Sequence, residues 1–391
     1  MNPIPGAAIL RQYVKELGET QIKLIKGANH FLASDKIEAG SSPKELIYEK
    51  DKLKLYHYRS ETQATCRVPV LIVYALINRP YMLDLQPDRS LVKNLLGKGI
   101  DLYLIDWGYP TMADRYLTME DYICGYMDNC VEMIRKNTGK EKITMMGICQ
   151  GGTFSAIYTA LFPQKMRNLI TLVAPIDFSA KDGLLFSWSK QMNVDAIIDT
   201  YRIVPGDFLN AGYLMLLPFN LYVKKYKDML SFVDDEEKLS NFLRMEKWIF
   251  DSPGQAGECL RQFLKDLYQE NRLVKGTLKI GDRLVNLNKI TVPLLNIYAT
   301  YDHLVPPASS RPLNDLVSSS DKSSYEFKGG HIGVFVSEKS QEELGPAIAR
   351  WLHAHDQQVK SDGLPEKASG RAKTHYKSRT TSSKMKSSRP E

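Results

Sequence analysis

A glycine-flanked cysteine constrains this chain more than any other feature of its sequence. The segment GICQGG (residues 147–152) follows the apolar run from Ile143 to Met146 and precedes a stretch of helical periodicity from Thr153 to Phe162. A strand, a sharp turn and a helix in this order are typical of a nucleophile elbow, in which glycines permit a turn that exposes the central side chain. A thiol at the start of a helix also lies near the positive end of the helix dipole, which favours the thiolate. The segment predicts that Cys149 is a nucleophile, although free cysteines are also common as buried residues.

Two polar residues follow the elbow in the order that a catalytic triad of this kind requires, first an acid and then a histidine. The run from Val292 to Ala299 predicts a buried strand, and Asp302 follows it before two prolines end any regular structure. The run from Tyr325 to Lys328 predicts the last strand, and the glycine-rich segment GGHIG (residues 329–333) then carries His331. An aspartate in a turn or a histidine in a loop is common by itself. A cysteine elbow, an aspartate and a histidine in this order are not expected by coincidence.

We therefore predict a triad in which Cys149 attacks, His331 is the base and Asp302 supports catalysis. His303, next to the acid, is the serious alternative for the base.

The negative tetrahedral intermediate of acyl transfer needs two backbone N–H donors. In this arrangement one donor is the residue after the nucleophile, here Gln150, and the other lies in the loop after the third strand, where we predict Ile77. Arg79, in the same loop, has two alternative roles, a contact to a substrate phosphate or a structural ion pair.

The remainder of the chain alternates predicted strands with predicted helices. Early strands are predicted at Leu46–Tyr58, Val68–Leu76 and Ile100–Asp106, a helix at Glu120–Lys136 and a later strand at Asn168–Val173. This alternation predicts a mainly parallel sheet with helices on both faces, and together with the elbow it predicts the α/β-hydrolase fold.

Residues 179 to 289 differ from this pattern, because helical and aromatic residues dominate and no central strand is evident. They predict a helical cap inserted into the core, and an ordinary helical subdomain is the alternative. The predicted organisation is an N-terminal helical segment (1–45, with an amphipathic helix at 7–31), a first core part (46–178), the cap (179–289), a second core part (290–355) and a disordered basic tail (356–391).

Charge and cysteine content narrow the class of protein. The tail holds nine Lys or Arg against four acids, and the chain has a net charge of +7, which leaves +2 for residues 1–355. We expect a solvated tail rather than one that binds nucleic acid, and contact with an anionic surface is the other alternative. The five cysteines form no CxxC pair, so we expect no disulfides, no metal site and no cofactor.

The sequence contains no run of about 18 apolar residues of the kind that spans a membrane. We therefore expect a cytoplasmic enzyme.

A thiol nucleophile is itself a chemical clue. Attack by a thiol on a thioester gives another thioester, so the acyl group stays activated for a second transfer to a hydroxyl.

Six segments carry a specific resemblance to a known family: NRPY (78–81), DWGYP (106–110), GICQGG (147–152), NFLRMEKWIFDSP (241–253), DHLVPP (302–307) and GGHIG (329–333). With them the chain resembles the polyhydroxyalkanoate (PHA) synthases over most of residues 40–355, and among these the short type that works with a second subunit.

The resemblance implies an acyltransferase that polymerises (R)-3-hydroxyacyl-CoA, with 3-hydroxybutyryl-CoA as the expected unit. It implies that Cys149 carries the growing chain and that His331 activates it. Asp302 then either partners His331 or activates the incoming 3-hydroxyl. A second synthase subunit, a homo- or hetero-oligomer and the surface of polyester granules are the implied partners. The long N-terminal extension of single-subunit synthases is missing, which favours the two-subunit type.

Two other functions remain as alternatives. A cysteine-based hydrolase of esters, lactones or thioesters would use the same triad and release free acid. A granule or surface protein that kept the fold only for binding would have an unreactive Cys149 and would depend on residues 356–391.

Overall fold

The computed structural model describes residues 40 to 361 apart from 41, 61–63, 218 and 220–223. The predicted amphipathic helix at 7–31 and the tail beyond residue 361 lie outside the described residues. None of the described helices is long and apolar enough to cross a bilayer.

Eight strands of the described residues form one central sheet. They are β1 (Lys44–Lys50), β2 (Leu53–Tyr58), β3 (Val70–Val73), β4 (Leu102–Asp106), β5 (Ile143–Ile148), β6 (Met166–Leu172), β7 (Leu294–Ala299) and β8 (Lys322–Phe327). Their order across the sheet is β1-β2-β4-β3-β5-β6-β7-β8. The pairs β1/β2 and β2/β4 are antiparallel, and the pairs from β4 to β8 are parallel. The sheet confirms the predicted α/β-hydrolase fold, with strand ends within a few residues of the sequence prediction.

The strand sequences explain their places in the sheet. Every residue of β3, β5 and β7 is buried, and these strands are nearly continuous apolar runs, as expected of parallel strands covered on both faces. Strand β8 lies at the edge, and all its residues before Phe327 are at least partly exposed. In the middle of the sheet Met146 pairs with Ile72 on one side and with Ile170 on the other.

Helices cover both faces of the sheet. Those of the core are α1 (Leu91–Leu96), α2 (Asp128–Thr138), α3 (Gln150–Leu161), α10 (Pro307–Ser310), α11 (Leu313–Leu316), α12 (Gly333–Val336) and α13 (Gly345–Ser361). One buried apolar cluster includes Ile134 of α2 and Ile157 of α3, and a second includes Leu95 of α1 and Leu352 of α13. The sheet thus lies between two apolar layers, which is the three-layer arrangement of an α/β domain.

Mostly helical structure also fills the chain between β6 and β7. Its helices are α4 (Leu184–Gln191), α5 (Val194–Tyr201), α6 (Gly206–Leu214), α7 (Lys225–Ser231), α8 (Glu236–Phe250) and α9 (Gly257–Gln262). Two short ribbons pair Ile203–Val204 with Gln255–Ala256 and Lys279–Ile280 with Arg283–Leu284. The predicted cap at 179–289 falls in this segment, and its boundaries and gating role stay predictions. Helix α13 continues to Ser361, beyond the predicted start of the tail at 356.

Short turns complete the described elements. A further two-stranded ribbon pairs Asp84–Gln86 with Arg89–Ser90. Single turns of 3₁₀ type lie at Pro80–Leu83, Met112–Asp114, Pro163–Lys165 and Leu287–Lys289, and wider π-type turns lie at Asp121–Met127, Phe263–Gln269 and Ser340–Leu344.

Candidate active site

The turn between β5 and α3 holds Cys149 in a backbone conformation that residues other than glycine rarely adopt. Its backbone has φ 53° and ψ −125°, and its N–H donates to the carbonyl of Leu172 at 2.9 Å. Such a conformation is costly for any residue but glycine and persists only where the surroundings impose it. A Cβ added at Gly151 would lie 2.6 Å from the carbonyl oxygen of Tyr74, so only glycine lets α3 approach β3 this closely. The elbow predicted from the sequence is therefore present as local geometry.

His331 and Asp302 meet at the same edge of the sheet as Cys149. Asp302 follows β7 and His331 follows β8, and the carboxyl ends of parallel strands meet at one edge. Nδ1 of His331 lies 2.6 Å from Oδ2 of Asp302, and both side chains are buried. The other oxygen of Asp302 accepts hydrogen bonds from the backbone N–H groups of Leu304 and Val305, at 2.9 and 2.8 Å. The carboxylate is held by three donors and points toward the imidazole.

The charge on His331 depends on its two neighbours. Burial of the imidazole opposes protonation, but the Asp302 carboxylate and the Cys149 thiol, through charge and hydrogen bonding, raise the pKa of His331 from 6.5 to about 10. The imidazole therefore lies within interacting distance of both residues. His303, the alternative base of the sequence prediction, is not hydrogen-bonded to Asp302. The structure thus brings Cys149, His331 and Asp302 together, and their catalytic roles are taken up as a proposal below.

The two predicted oxyanion donors carry free N–H groups. Gln150 is the first residue of α3, where a backbone N–H has no partner within the helix. Neither its N–H nor that of Ile77 is hydrogen-bonded to another residue in the part of the chain that the structure describes. Arg79 instead pairs with Asp106 at 2.7 Å, which agrees with the structural alternative for this arginine.

Three tyrosines near the cysteine have no counterpart in the sequence prediction. Burial raises the pKa of Tyr74, Tyr213 and Tyr268, and for each of them the nearby Cys149 adds to the effect. Their hydroxyl groups make no hydrogen bond within the described residues, and each interacts electrostatically with Cys149. No motif marked them, because Tyr213 and Tyr268 reach the site only through the folding of a segment inserted after β6.

Comparisons with known proteins identify the family. Residues 68–338 match the family model for the alpha/beta hydrolase fold, and residues 9–95 match that for the N-terminus of poly-beta-hydroxybutyrate polymerase (PhaC). A relative from Synechocystis sp., named poly(3-hydroxyalkanoate) polymerase subunit PhaC, is 53% identical over 361 residues, which cover 90% of this chain and 96% of that protein. The chain belongs to the PhaC family.

Other members of the PhaC family extend the same result. The protein of this name from Allochromatium vinosum is 51% identical over 341 residues, covering 87% of this chain and 96% of its own length. The Haloferax mediterranei protein is 41% identical, covering 94% of this chain and 75% of its own length.

Solved structures similar to this PhaC family member are more distant in sequence. A monoacylglycerol lipase from Paleococcus ferrophilus has a TM-score of 0.50 and 20% identity, covering 77% of this chain and 99% of that one. A carboxylesterase structure from Nitrososphaera gargenis has a TM-score of 0.50 and 14% identity, covering 81% of this chain and 100% of that one. These likenesses concern the fold alone.

Proposed function

We propose that this chain is the catalytic subunit of a polyester synthase that polymerises (R)-3-hydroxyacyl-CoA with release of CoA. The observation that carries the proposal is the identity of about half of the residues to poly(3-hydroxyalkanoate) polymerase subunits over 96% of their length. A thiol on a strained elbow, beside a buried histidine and carboxylate, supplies chemistry that suits this reaction.

In the first step the proton of the Cys149–His331 pair lies on His331, and the thiolate of Cys149 attacks the thioester carbonyl. A bond forms between Sγ and the carbonyl carbon, and the carbonyl oxygen becomes an oxyanion facing the N–H groups of Ile77 and Gln150. Collapse of this intermediate breaks the bond from carbon to the CoA sulfur, and the CoA thiolate leaves with the proton from His331. The acyl group remains on Cys149 as a thioester.

In the second step the 3-hydroxyl of another unit attacks this thioester. His331 takes the hydroxyl proton, an ester bond forms, and the thiol of Cys149 recovers a proton when its bond to the acyl carbon breaks. Repetition of the two steps lengthens the polyester by one unit for each CoA released.

Asp302 orients His331 in this mechanism and does not contact substrate. Its side chain has no exposed surface, its Oδ2 lies against Nδ1 of His331, and its Oδ1 already accepts two backbone N–H groups. A carboxylate without a free, accessible oxygen cannot also take a proton from an incoming hydroxyl. Of its two roles implied by the family resemblance, the geometry therefore favours that of a partner to His331.

Exclusion of water is the further requirement, because water attacking the acyl thioester would release free acid. Tyr268, which interacts electrostatically with Cys149, packs against Phe178 and Phe186 with ring centres 4.7 and 5.2 Å apart. Phe186 belongs to α4, in the predicted cap. We assign to these apolar rings the task of keeping the space around the thioester dry.

The proposal includes the partners of the reaction. A second synthase subunit joins the chain in an oligomer, and the product remains at the surface of polyester granules in the cytoplasm. 3-Hydroxybutyryl-CoA is the first substrate to examine.

The test is incubation of the purified protein with (R)-3-hydroxybutyryl-CoA, with and without a candidate second subunit. Thiol release and the fate of the acyl group are followed together. We expect CoA release with insoluble polyester. Thiol release with free hydroxy acid alone would assign the chain to the cysteine-based hydrolases, and no release even with the second subunit would reject the synthase.

A further inference from the structure

The loop after β3 carries the proposed oxyanion donor Ile77, and contacts on both sides of this residue hold the loop. Ile77 and its neighbours on the chain lie outside any strand or helix, so strand hydrogen bonds do not fix the direction of its N–H. An oxyanion hole works only when its donors are aimed in advance at the developing charge. The contacts that aim this N–H therefore matter for the reaction.

The first anchor comes from the elbow. Oε1 of Gln150 accepts a hydrogen bond from the backbone N–H of Leu76 at 3.1 Å, and Gln150 is only 3% exposed. Two residues earlier in the loop, the carbonyl of Tyr74 accepts a hydrogen bond from Nε1 of Trp107 at 2.9 Å. The chain that leads into Ile77 is thus tied to the residue that follows the nucleophile.

The second anchor comes from the C-terminal end of α8, about 170 residues further along the chain. The last carbonyls of a helix have no partner within it. Here Nδ2 of Asn78 donates to the carbonyls of Trp248 and Ile249, at 3.3 and 3.4 Å. In return, Nε1 of Trp248 donates to the carbonyl of Arg79 at 2.8 Å. The residues directly after Ile77 are therefore bound to α8 in both directions.

A carboxylate just beyond α8 extends this second anchor. Asp251 accepts hydrogen bonds from the hydroxyls of Tyr81 at 3.0 Å and of Tyr109 at 2.5 Å. The ring of Tyr109 also lies against the guanidinium of Arg79, 4.5 Å from its centre. Arg79 is in turn paired with Asp106.

The backbone of the loop shows why its direction depends on these contacts. Asn78 has φ 60°, in the left-handed region that few residues other than glycine and asparagine occupy. The chain therefore turns sharply directly after Ile77. Asn78 supplies both the turn and the side-chain amide that holds it against α8.

We propose that Asn78 and Trp248 are positioning residues, which bind the loop to α8 and thereby aim the N–H of Ile77 at the oxyanion. The inference rests on the proposed function, because it assigns a role within that reaction. The oxyanion donor is then held in place only while the end of α8 is docked on the core. Release of this helix would remove that donor.

The experiment compares acyl transfer with alkylation in matched variants. Trp248→Phe keeps an aromatic ring and loses the indole N–H, and Asn78→Gly keeps the left-handed turn and loses the amide. Trp351→Phe is the control, because Nε1 of Trp351, on the C-terminal helix α13, has no acceptor among the described residues. Acyl transfer is measured as the maximal rate of CoA release and as acylation by p-nitrophenyl acetate. Iodoacetamide alkylation of Cys149 needs the thiolate but forms no oxyanion.

We expect both variants to lose acyl transfer by about ten-fold or more, because small displacements of a catalytic group have large effects on rate. Alkylation of Cys149 and the KM for substrate should stay near wild type, and Trp351→Phe should change neither rate. The double variant should be no slower than the slower single variant, since both changes release the same loop.

Two results would overturn the inference. One is acyl transfer at the wild-type rate in Trp248→Phe and Asn78→Gly. The other is alkylation that falls in parallel with acyl transfer, which would place the damage in the triad or in the fold as a whole. A wild-type protein that releases no CoA would reject the synthase instead, and the p-nitrophenyl acetate rates would still decide the role of the loop.

Discussion

Burial raises the thiol pKa of each of the four cysteines other than Cys149. Cys130 and Cys259 are buried within the apolar layer that contains α2 and α3, where burial raises the pKa of each thiol. Burial raises the pKa of Cys66 to about 12 and that of Cys124 to about 11. A thiol reacts as its thiolate, so these four should be inert near neutral pH.

A first prediction at the scale of the residue is selective labelling. At pH 7.5 one equivalent of iodoacetamide should modify Cys149 and abolish CoA release, and peptide mass spectrometry locates the label. Cys149→Ser should keep the fold and lose most activity, while Cys124→Ser should retain it. Labelling of another cysteine before Cys149, or full polymerisation by Cys149→Ser, would contradict the covalent thiol mechanism.

A second prediction at this scale concerns pH. His331 holds its proton in the folded protein up to a pKa of about 10, whereas in the unfolded chain it releases the proton near 6.5. Between these pH values the folded state binds more protons than the unfolded state. The contribution of His331 to the free energy of unfolding therefore has its full value below pH 6.5 and is lost as the pH rises through 10. Urea unfolding of the wild type and of His331→Gln should show a difference in stability that narrows from pH 6 to pH 10. A difference that stays constant over this range would show that His331 is not protonated in the native protein.

At the scale of the element, helix α3 packs so close to the end of β3 that the contact leaves no room for a Cβ at Gly151. A Cβ at Gly151 would meet the carbonyls of Val73 and Tyr74, and a Cβ at Gly152 would meet the side chain of Ala174. A backbone carbonyl cannot move aside as a flexible side chain can. The glycines therefore serve the packing of the helix as well as the turn at Cys149.

A pair of glycine substitutions tests this packing. Gly151→Ala should destabilise the protein by about 3 kcal/mol, at the upper end of the usual cost of overpacking. Gly212→Ala, in α6, adds a Cβ with nothing within 4 Å and should stabilise the protein by about 0.5–1 kcal/mol. Denaturant unfolding measures both changes. An equal effect of the two substitutions would show that the close approach of α3 is not needed for stability.

At the scale of the whole molecule, the C-terminal helix closes the core. Ile348 and Leu352 of α13 are buried in the same apolar layer as α1. At the end of the buried part, Oδ1 of Asp356 accepts hydrogen bonds from the N–H groups of Arg67 and Val68, at 2.8 and 3.1 Å. These contacts join residues almost 290 positions apart, just before β3. The residues from 362 onward are rich in Lys, Arg, Ser and Thr and have little apolar surface to bury.

Two truncations should therefore behave differently. A chain ending at residue 361 should keep the melting temperature and the CoA release of the full chain. A chain ending at residue 344 should not fold, because it loses the buried residues of α13 together with the bond to the start of β3. Circular dichroism and the CoA assay distinguish these outcomes. Loss of CoA release on removal of 362–391 alone would contradict the expectation that the tail takes no part in the reaction.

The sequence predicted the central sheet well because its signals are local. Buried parallel strands are short apolar runs, and the strand ends of β4, β5 and β7 lie within two residues of their predicted positions. The order of Cys149, Asp302 and His331 could also be predicted from the sequence, because the α/β-hydrolase fold places each of these residues shortly after a strand. Helix α13 includes residues 356–361, which composition assigned to the tail, because a polar stretch of sequence is compatible with the end of a helix as well as with a disordered segment.

What the sequence determined by itself is the set of candidate catalytic residues and the fold that brings them to one edge of a sheet. Hydrophobic periodicity, turn-forming residues and residue order can all be read from neighbours along the chain. The tertiary structure decided which atoms of these residues are already engaged in hydrogen bonds. It shows that both oxygens of Asp302 are engaged, and that the loop carrying Ile77 is bound by α8. Those contacts join residues far apart in the chain, and only the packing of the inserted helices on the core brings them within hydrogen-bonding distance.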